Sequence, residues 1–134
     1  MIPLDSSAII ATIPHEPEAP AFEKILVLER SIVGAPTLVE TRIVLEGRLS
    51  DRAGIFLHRL ITERGITIVP FDSAMAETAA DAFRRYGKGR GHPAGLNFGD
   101  CMAYAVASVM RLPLLFKGDD FVHTEIVPAH SPAP

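Results

Sequence analysis

Ile2-Pro3-Leu4-Asp5-Ser6-Ser7-Ala8-Ile9-Ile10 reads as a short apolar strand that ends on an acid and turns at once into a helix. The same grammar recurs twice. Ile32 to Ala35 is a second strand, Pro36-Thr37 opens a helix, and Glu40 follows within it. Leu114 to Phe116 is another short run, closed by Lys117-Gly118-Asp119-Asp120. Between these landmarks the spacing predicts helices over Ser7 to Ile13 and Ala21 to Arg30, with Pro14, Pro17 and Pro20 punctuating the turn between them. Ala53, Phe56, Leu57, Leu60 and Ile61 recur at helical spacing within residues 52–64, and Gly65 ends that helix. Ile66 to Val69 is a further strand, Ser73 to Tyr86 a further helix, and Phe98, Met102, Ala105, Val106 and Val109 mark the last one. Ile126-Val127 is a candidate fifth strand. Strands alternating with helices predict an α/β fold, a parallel sheet covered on both faces. In such sheets ligands collect outside the carboxyl ends of the strands, which is where the acids fall.

Composition narrows the function classes. At 134 residues the chain is one domain by length, expected over residues 1–128, with 129–134 expected as a disordered tail. A hydrophobic content of 48% with 22% charged residues is that of a globular protein and argues against disorder. No apolar run approaches the roughly 20 residues that span a bilayer, so no membrane association is expected. Met-Ile-Pro-Leu-Asp has neither a basic start nor a long apolar stretch, so secretion is not expected, and the lone Cys101 suits a reducing cytoplasm. A net charge of −3 gives no global attraction for nucleic acid. Any RNA or DNA has to be held by a local basic patch and bound metal.

Asp5, Glu40, Asp100 and the Asp119-Asp120 pair carry the chemistry. Each has a plain local explanation. Asp5 suits an N-cap, Thr37-x-x-Glu40 a capping box, Asn97-x-x-Asp100 a first helical turn, and Asp119-Asp120 a surface turn. Capping does not require acids to converge on one edge of one sheet; a metal site does. Carboxylates brought together raise one another's pKa unless a cation sits between them, and Mg²⁺ or Mn²⁺ with oxygen ligands serves phosphate chemistry. Ser7 is placed to orient a carboxylate or a metal-bound water. Ser6 and Ser7 have no base partner, which argues against a serine hydrolase. His15, His58, His92, His123 and His130 show no zinc spacing. Gly87-Lys88-Gly89-Arg90-Gly91-His92 follows a helix and its lysine precedes neither Ser nor Thr, so it is not a P-loop; it is a flexible basic segment or a plain mobile loop. Cys101 reads as a small core residue.

Four segments, taken together, resemble PIN-domain ribonucleases, in particular VapC-type toxins of bacterial toxin–antitoxin pairs. They are Leu4 to Ile10, Ala35 to Glu40, Gly91-His92-Pro93-Ala94 through Asn97-Phe98-Gly99-Asp100-Cys101, and Leu112 to Phe121. The resemblance runs in order to about Val127. It implies a three-layer α/β/α sandwich and a Mg²⁺-dependent endoribonuclease acting on tRNA or ribosomal RNA, leaving 5′-phosphate and 3′-hydroxyl ends. It also implies a cognate antitoxin that blocks the site, and a homodimer. By position Asp5, Asp100 and Glu40 become metal ligands and catalytic acids. Asp120 is the fourth, with Asp119 its substitute, because Gly118 stands where family members commonly have an acid. Lys88, Arg90 and Lys117 are candidates for contacts to the RNA backbone. Pro3 also departs from the pattern, since a proline in a central strand removes a ladder donor. Two other readings compete: an aspartyl-phosphate phosphohydrolase with Asp5 as nucleophile, and a catalytically silent module binding a partner through helices 21–30 and 52–64. The first expects a second aspartate where Ser7 stands.

Overall fold

The computed structural model describes residues 1–13 and 16–130. Its elements alternate as the sequence predicts: β1 (Ile2–Pro3), α1 (Ser6–Ile10), α2 (Ala19–Leu28), β2 (Ser31–Gly34), α3 (Ala35–Leu49), a 3₁₀ turn (Ser50–Arg52), α4 (Ala53–Arg64), β3 (Thr67–Val69), α5 (Ser73–Tyr86) and α6 (Phe98–Met110). The three strands are parallel in the order β1-β2-β3, with Ile2 opposite Ser31 and Ile32 opposite Thr67. On the free side of β1, Leu4 bridges to Leu115, and Leu114 bridges onward to Pro128. These two segments, expected as a fourth and a fifth strand, pair through single bridges only, so β1 lies inside the sheet rather than at its edge.

The sheet separates two cores. Strand residues alternate between its faces, so Val33 and Leu115 join α1 to α4 on one side, with Ile9, Phe22, Leu45 and Leu57. Ile32, Leu114 and Phe116 join α5 and α6 on the other, with Met75, Ala82, Tyr104 and Val106. The result is the three-layer α/β/α sandwich.

Local chemistry sets the ends of the elements. Gly65 takes the left-handed conformation (φ 62°) that closes α4. The Asp72 carboxylate accepts from Met75 N at 2.9 Å and caps α5. Pro36 falls in the first turn of α3, where its missing amide hydrogen has no helical partner to lose. That helix begins at Ala35, one residue into the expected strand. Pro3 is tolerated by direction. Ile2 N and Leu4 N donate to Arg30 O and Ile32 O on the β2 side, while Pro3 faces the other way and its carbonyl accepts from Leu115 N at 3.0 Å. The first helix stops at Ile10 rather than Ile13, and the second spans 19–28 rather than 21–30. Pro14 and His15 lie outside the described residues. At the other end, Ala129 and His130 depart from the expected disordered tail. Ala129 N donates to Leu114 O at 2.8 Å, and the His130 ring meets Phe22 edge-on at 5.1 Å. Residues 131–134 of that tail lie outside the described residues.

Gly34, the last residue of β2, lets α6 approach the sheet closely. A Cβ there would stand 2.8 Å from Val106 Cγ2. Gly34→Ala is therefore expected to destabilise the fold by roughly 1–3 kcal/mol through overpacking, measured by urea unfolding. Val106→Ala in the same chain should return part of that loss; additive losses would show that the close approach is not the cause.

Candidate functional site

Four chain segments deliver acids to the carboxyl edge of the sheet. Asp5 ends the β1 run and caps α1. Its Oδ2 accepts from Ser7 N at 3.1 Å and from Ser7 Oγ at 2.6 Å. Ser7 Oγ in turn accepts from Lys117 N at 3.0 Å, which ties this turn to the segment carrying Asp120. The other Asp5 oxygen, Oδ1, is buried with no hydrogen-bond partner among the described residues.

Asp100 completes a capping box at the start of α6: its amide donates to Asn97 Oδ1 at 2.8 Å, and its Oδ2 accepts from Asn97 N at 3.0 Å. Glu40 is different. Gly34, not Thr37, is the N-cap of α3, so Thr37 is already helical and buried, and Glu40 sits beyond the first turn with no capping duty. Its carboxylate instead rests on Gly99, where a Cβ would collide with Oε2, and its Oε1 is buried without a partner among the described residues.

The electrostatics follow the geometry. Burial pushes the Asp5 carboxyl up to about 7 against the two Ser7 hydrogen bonds, and the charges of Asp100 and Glu40 raise it further. Burial likewise lifts Asp100 to about 6, opposed by the Asn97 amide and reinforced by Asp120 and Glu40. Asp5, Glu40, Asp100 and Asp120 thus share one field. Among the described residues, however, no three His, Cys, Asp or Glu side chains stand at ion-holding distances. Asp5 Oδ1 and Glu40 Oε1 are nevertheless hard carboxylate oxygens, buried and without a hydrogen-bond partner among the described residues, which suits a hard divalent cation.

Asp119 is placed apart, on a cavity of about 570 Å³ lined by Pro17, Glu18, Phe22, Lys117 and His130. Gly118 has φ 93°, in the left-handed region that favours glycine, so the turn is shaped by backbone freedom where the resemblance expects an acid. Lys117 is partly exposed and paired with acids. Its ammonium lies 3.3 Å from Glu16 and 3.2 Å from Glu18, and with Arg48 it holds the Glu16 carboxyl below its usual range. Lys88 and Arg90 are exposed on the glycine loop. That loop is a hydrogen-bonded excursion rather than a loose one: Lys88 N donates to Leu96 O, Leu96 N to Tyr86 O, and Ala94 N to His92 Nδ1. Cys101 is buried, as expected, and its thiol is pushed up to about 11 by burial and by Asp100.

Two features were missed in the sequence. Gly99 carries a signal, since a glycine in the first turn of an apolar helix costs about 1 kcal/mol relative to alanine and so implies a close neighbour. The Glu125 carboxylate, which accepts from the hydroxyls of Tyr86 and Tyr104, carries none, because its partners are 39 and 21 residues away.

A parallel sheet between two helical layers, with acids gathered at its carboxyl edge, defines a PIN domain. The family model described as PIN domain matches residues 2–127, and the chain belongs to that family. Its relatives there are VapC ribonucleases. Ribonuclease VapC42 of Mycobacterium tuberculosis is 42% identical over 129 residues, 94% of this chain and 97% of that one. Among solved structures, VapC20 of Mycobacterium tuberculosis, a sarcin-ricin loop cleaving toxin, superposes with a TM-score of 0.79 at 16% identity, covering 98% of this chain and all of the other. A toxin–antitoxin complex from Klebsiella pneumoniae gives a TM-score of 0.65 at 16% identity over 90% of each chain. The match over residues 2–127 leaves the phosphohydrolase reading without support.

The buried acids make stability depend on pH in a defined direction. Folded Asp5 holds its proton far more tightly than the unfolded chain, whose carboxyl titrates near 3.8. In metal-free protein the contribution of Asp5 to stability is therefore present in full below about pH 4 and is lost as pH rises towards 7. For Asp5 alone the loss is on the order of 4 kcal/mol. Thermal unfolding in chelator from pH 5 to 8 checks this. Asp5→Asn, which keeps the oxygen that Ser7 uses, should flatten the slope and raise Tm at pH 8. A Tm that climbs with pH in the wild-type protein would contradict it.

Proposed function

We propose that this chain is a divalent-metal-dependent endoribonuclease toxin, hydrolysing phosphodiester bonds of tRNA or ribosomal RNA and silenced by a cognate antitoxin. The observation that carries this is the electrostatic coupling of Asp5, Glu40, Asp100 and Asp120, brought from four separate segments into one field, with Asp5 Oδ1 and Glu40 Oε1 buried and unpartnered among the described residues. These four side chains are the ion's ligands, directly or through water, with Mg²⁺ the expected ion and Mn²⁺ an alternative. A bound divalent ion supplies Lewis-acid stabilisation of the phosphate charge and eases deprotonation of the attacking water.

The chain's own residues prepare that site. Ser7 occupies one oxygen of Asp5 and so fixes the direction of the other. Asn97 does the same for Asp100. Gly99 leaves room for the Glu40 carboxylate between α3 and α6. Asp5 and Asp100 are buried, and charge interactions are stronger in such surroundings than in water. Lys88 and Arg90 on the exposed loop are the candidates for the RNA backbone, with Lys117, which also pairs with Glu16 and Glu18, the third. By the resemblance, the products carry 5′-phosphate and 3′-hydroxyl ends.

Partner binding is supported by exposed apolar surface. Val27, Leu28 and Ile55 are more than 60% exposed on α2 and α4. Ile55 borders a cleft of about 510 Å³ whose apolar residues Leu49, Phe56 and Leu60 are flanked by charged ones, among them Arg52, Arg59 and Glu63, a mixed lining suited to an amphipathic antitoxin helix. Val39, Ile43 and Ile68 form a second exposed patch along α3 and β3, suited to a homodimer. Among the described residues no helix is long and apolar enough to cross a membrane. A reducing cytoplasm is the proposed setting, consistent with the buried thiol of Cys101.

Purified protein incubated with tRNA and ribosomal RNA tests the reading. Cleavage should require Mg²⁺ and stop with chelator. Asp5→Asn and Asp100→Asn should each lower it by on the order of 100-fold or more, and relieve growth arrest on expression. Asp120→Asn should act likewise, whereas Asp119→Asn should leave most activity. Full activity in Asp5→Asn or Asp100→Asn, or chelator-resistant cleavage, would overturn it.

A further inference from the structure

Phe98 is the first residue of α6, two before Asp100, and 75% of it is exposed. Single exposed apolar residues are ordinary, but this one rims a cavity. With Phe71, Phe83, Cys101 and Met102 it lines a space of about 240 Å³ between α5 and α6. That is below the roughly 300–1,000 Å³ of a drug-sized pocket, on the scale of one flat ring system. Phe71 follows β3, so the cavity opens at the same edge of the sheet as the acids.

Helix geometry separates its two sides. Phe98, Cys101 and Met102 stand at i, i+3 and i+4 and share the α5 face. Asp100, two residues on from Phe98 and turned by about 200°, faces Glu40 and Asp120 instead. The cavity therefore lies beside the carboxylates rather than among them. One cation stands by its wall: the Arg90 guanidinium lies 5.6 Å over the ring of Phe83, which lines the cavity. Aromatic walls next to a basic side chain fit the two halves of a nucleotide, the base against rings and the phosphate against the cation. An apolar protein segment would fill the same space without any use for Arg90.

We infer that Phe98 and this cavity receive an unpaired nucleobase of the substrate RNA, from a nucleotide neighbouring the scissile phosphate. The inference rests on the ribonuclease reading. Every base has a flat face, so the site selects a base free to leave its stack rather than a particular sequence, and it directs cleavage to single-stranded loops.

The test uses labelled oligoribonucleotide hairpins, with binding followed by fluorescence anisotropy and cleavage by kcat and KM. Copies with one abasic nucleotide at successive loop positions are compared. Phe98→Ala should weaken binding roughly 5- to 150-fold, and Phe98→Trp should restore it. Removing the stacked base should cost the wild-type protein a similar factor and Phe98→Ala nothing further. The Mg²⁺-induced rise in Tm should be the same in Phe98→Ala, which shows that the fold and the acids are intact. Normal RNA binding by Phe98→Ala overturns the inference and leaves the cavity to a protein partner. Losses that simply multiply between Phe98→Ala and the abasic positions also overturn it, as does a wild-type protein that binds no hairpin. Phe98-dependent binding without cleavage would instead remove the nuclease reading and keep the nucleobase site.

Discussion

Negative charge held out of water is the constraint around which this molecule is arranged. Asp5 is 3% exposed and Asp100 9% exposed, and each lies in the field of other carboxylates. Removing even one ionised carboxylate from water costs several kcal/mol unless something answers its charge. A fold that keeps such groups together needs rigid surroundings to oppose their repulsion. The sheet supplies them. β1 is paired on both sides, so the turn that presents Asp5 is anchored by β2 and by the 114–116 segment together.

The helical layers complete the restraint, and they do it with small residues and hydroxyls rather than with cations. Gly34 admits Val106 against the sheet and so sets the position of α6, while Gly99 admits Glu40 against that same helix. Ser7 bridges Asp5 to the backbone of Lys117, which fixes the distance between the first and the last acid-bearing segments. Lys117 itself turns outward to Glu16 and Glu18. The positive charges nearest in sequence to the acids are thus diverted from them. The field at the sheet edge stays negative and open to a cation from solution.

Much of this was legible in the chain because it is local. The run from Ser73 to Tyr86 has the bounds that its spacing predicts, and the parallel sheet follows from strands alternating with helices. The last two strands were over-read: Leu114 to Phe116 has only one bridge to each neighbour, Ile126-Val127 has none because the bridge falls on Pro128, and pairing is not written in composition. The helix over Ala35–Leu49 begins earlier than Thr37 suggests because Gly34 ends β2 in a conformation that caps it, which removes the capping box imagined for Glu40. The pairing of Lys117 was hidden because Glu16 and Glu18 lie far away in the chain. The choice between Asp119 and Asp120 is equally non-local. It depends on the direction the chain takes after Gly118, and the positive φ there is a property of the folded turn. The rung from Ala129 to Leu114 is likewise a long-range contact that composition does not reveal.

Capping and metal binding looked like rival explanations for Asp5 and Asp100, yet the structure shows why they are compatible. A carboxylate has two oxygens. In both residues one oxygen is spent on the start of a helix, Oδ2 of Asp5 on Ser7 and Oδ2 of Asp100 on Asn97. A hydrogen bond to one oxygen removes the rotational freedom that a surface acid would keep, so the second oxygen is held in a fixed direction without further packing. Helix starts at the carboxyl edge of a parallel sheet are therefore an economical place to mount a cluster of anions: the cap orients the acid, and the helix dipole tempers the charge it carries. Glu40 lacks a cap and takes its direction from Gly99 instead. That is why a glycine, rather than a better helix former, stands beside Asp100.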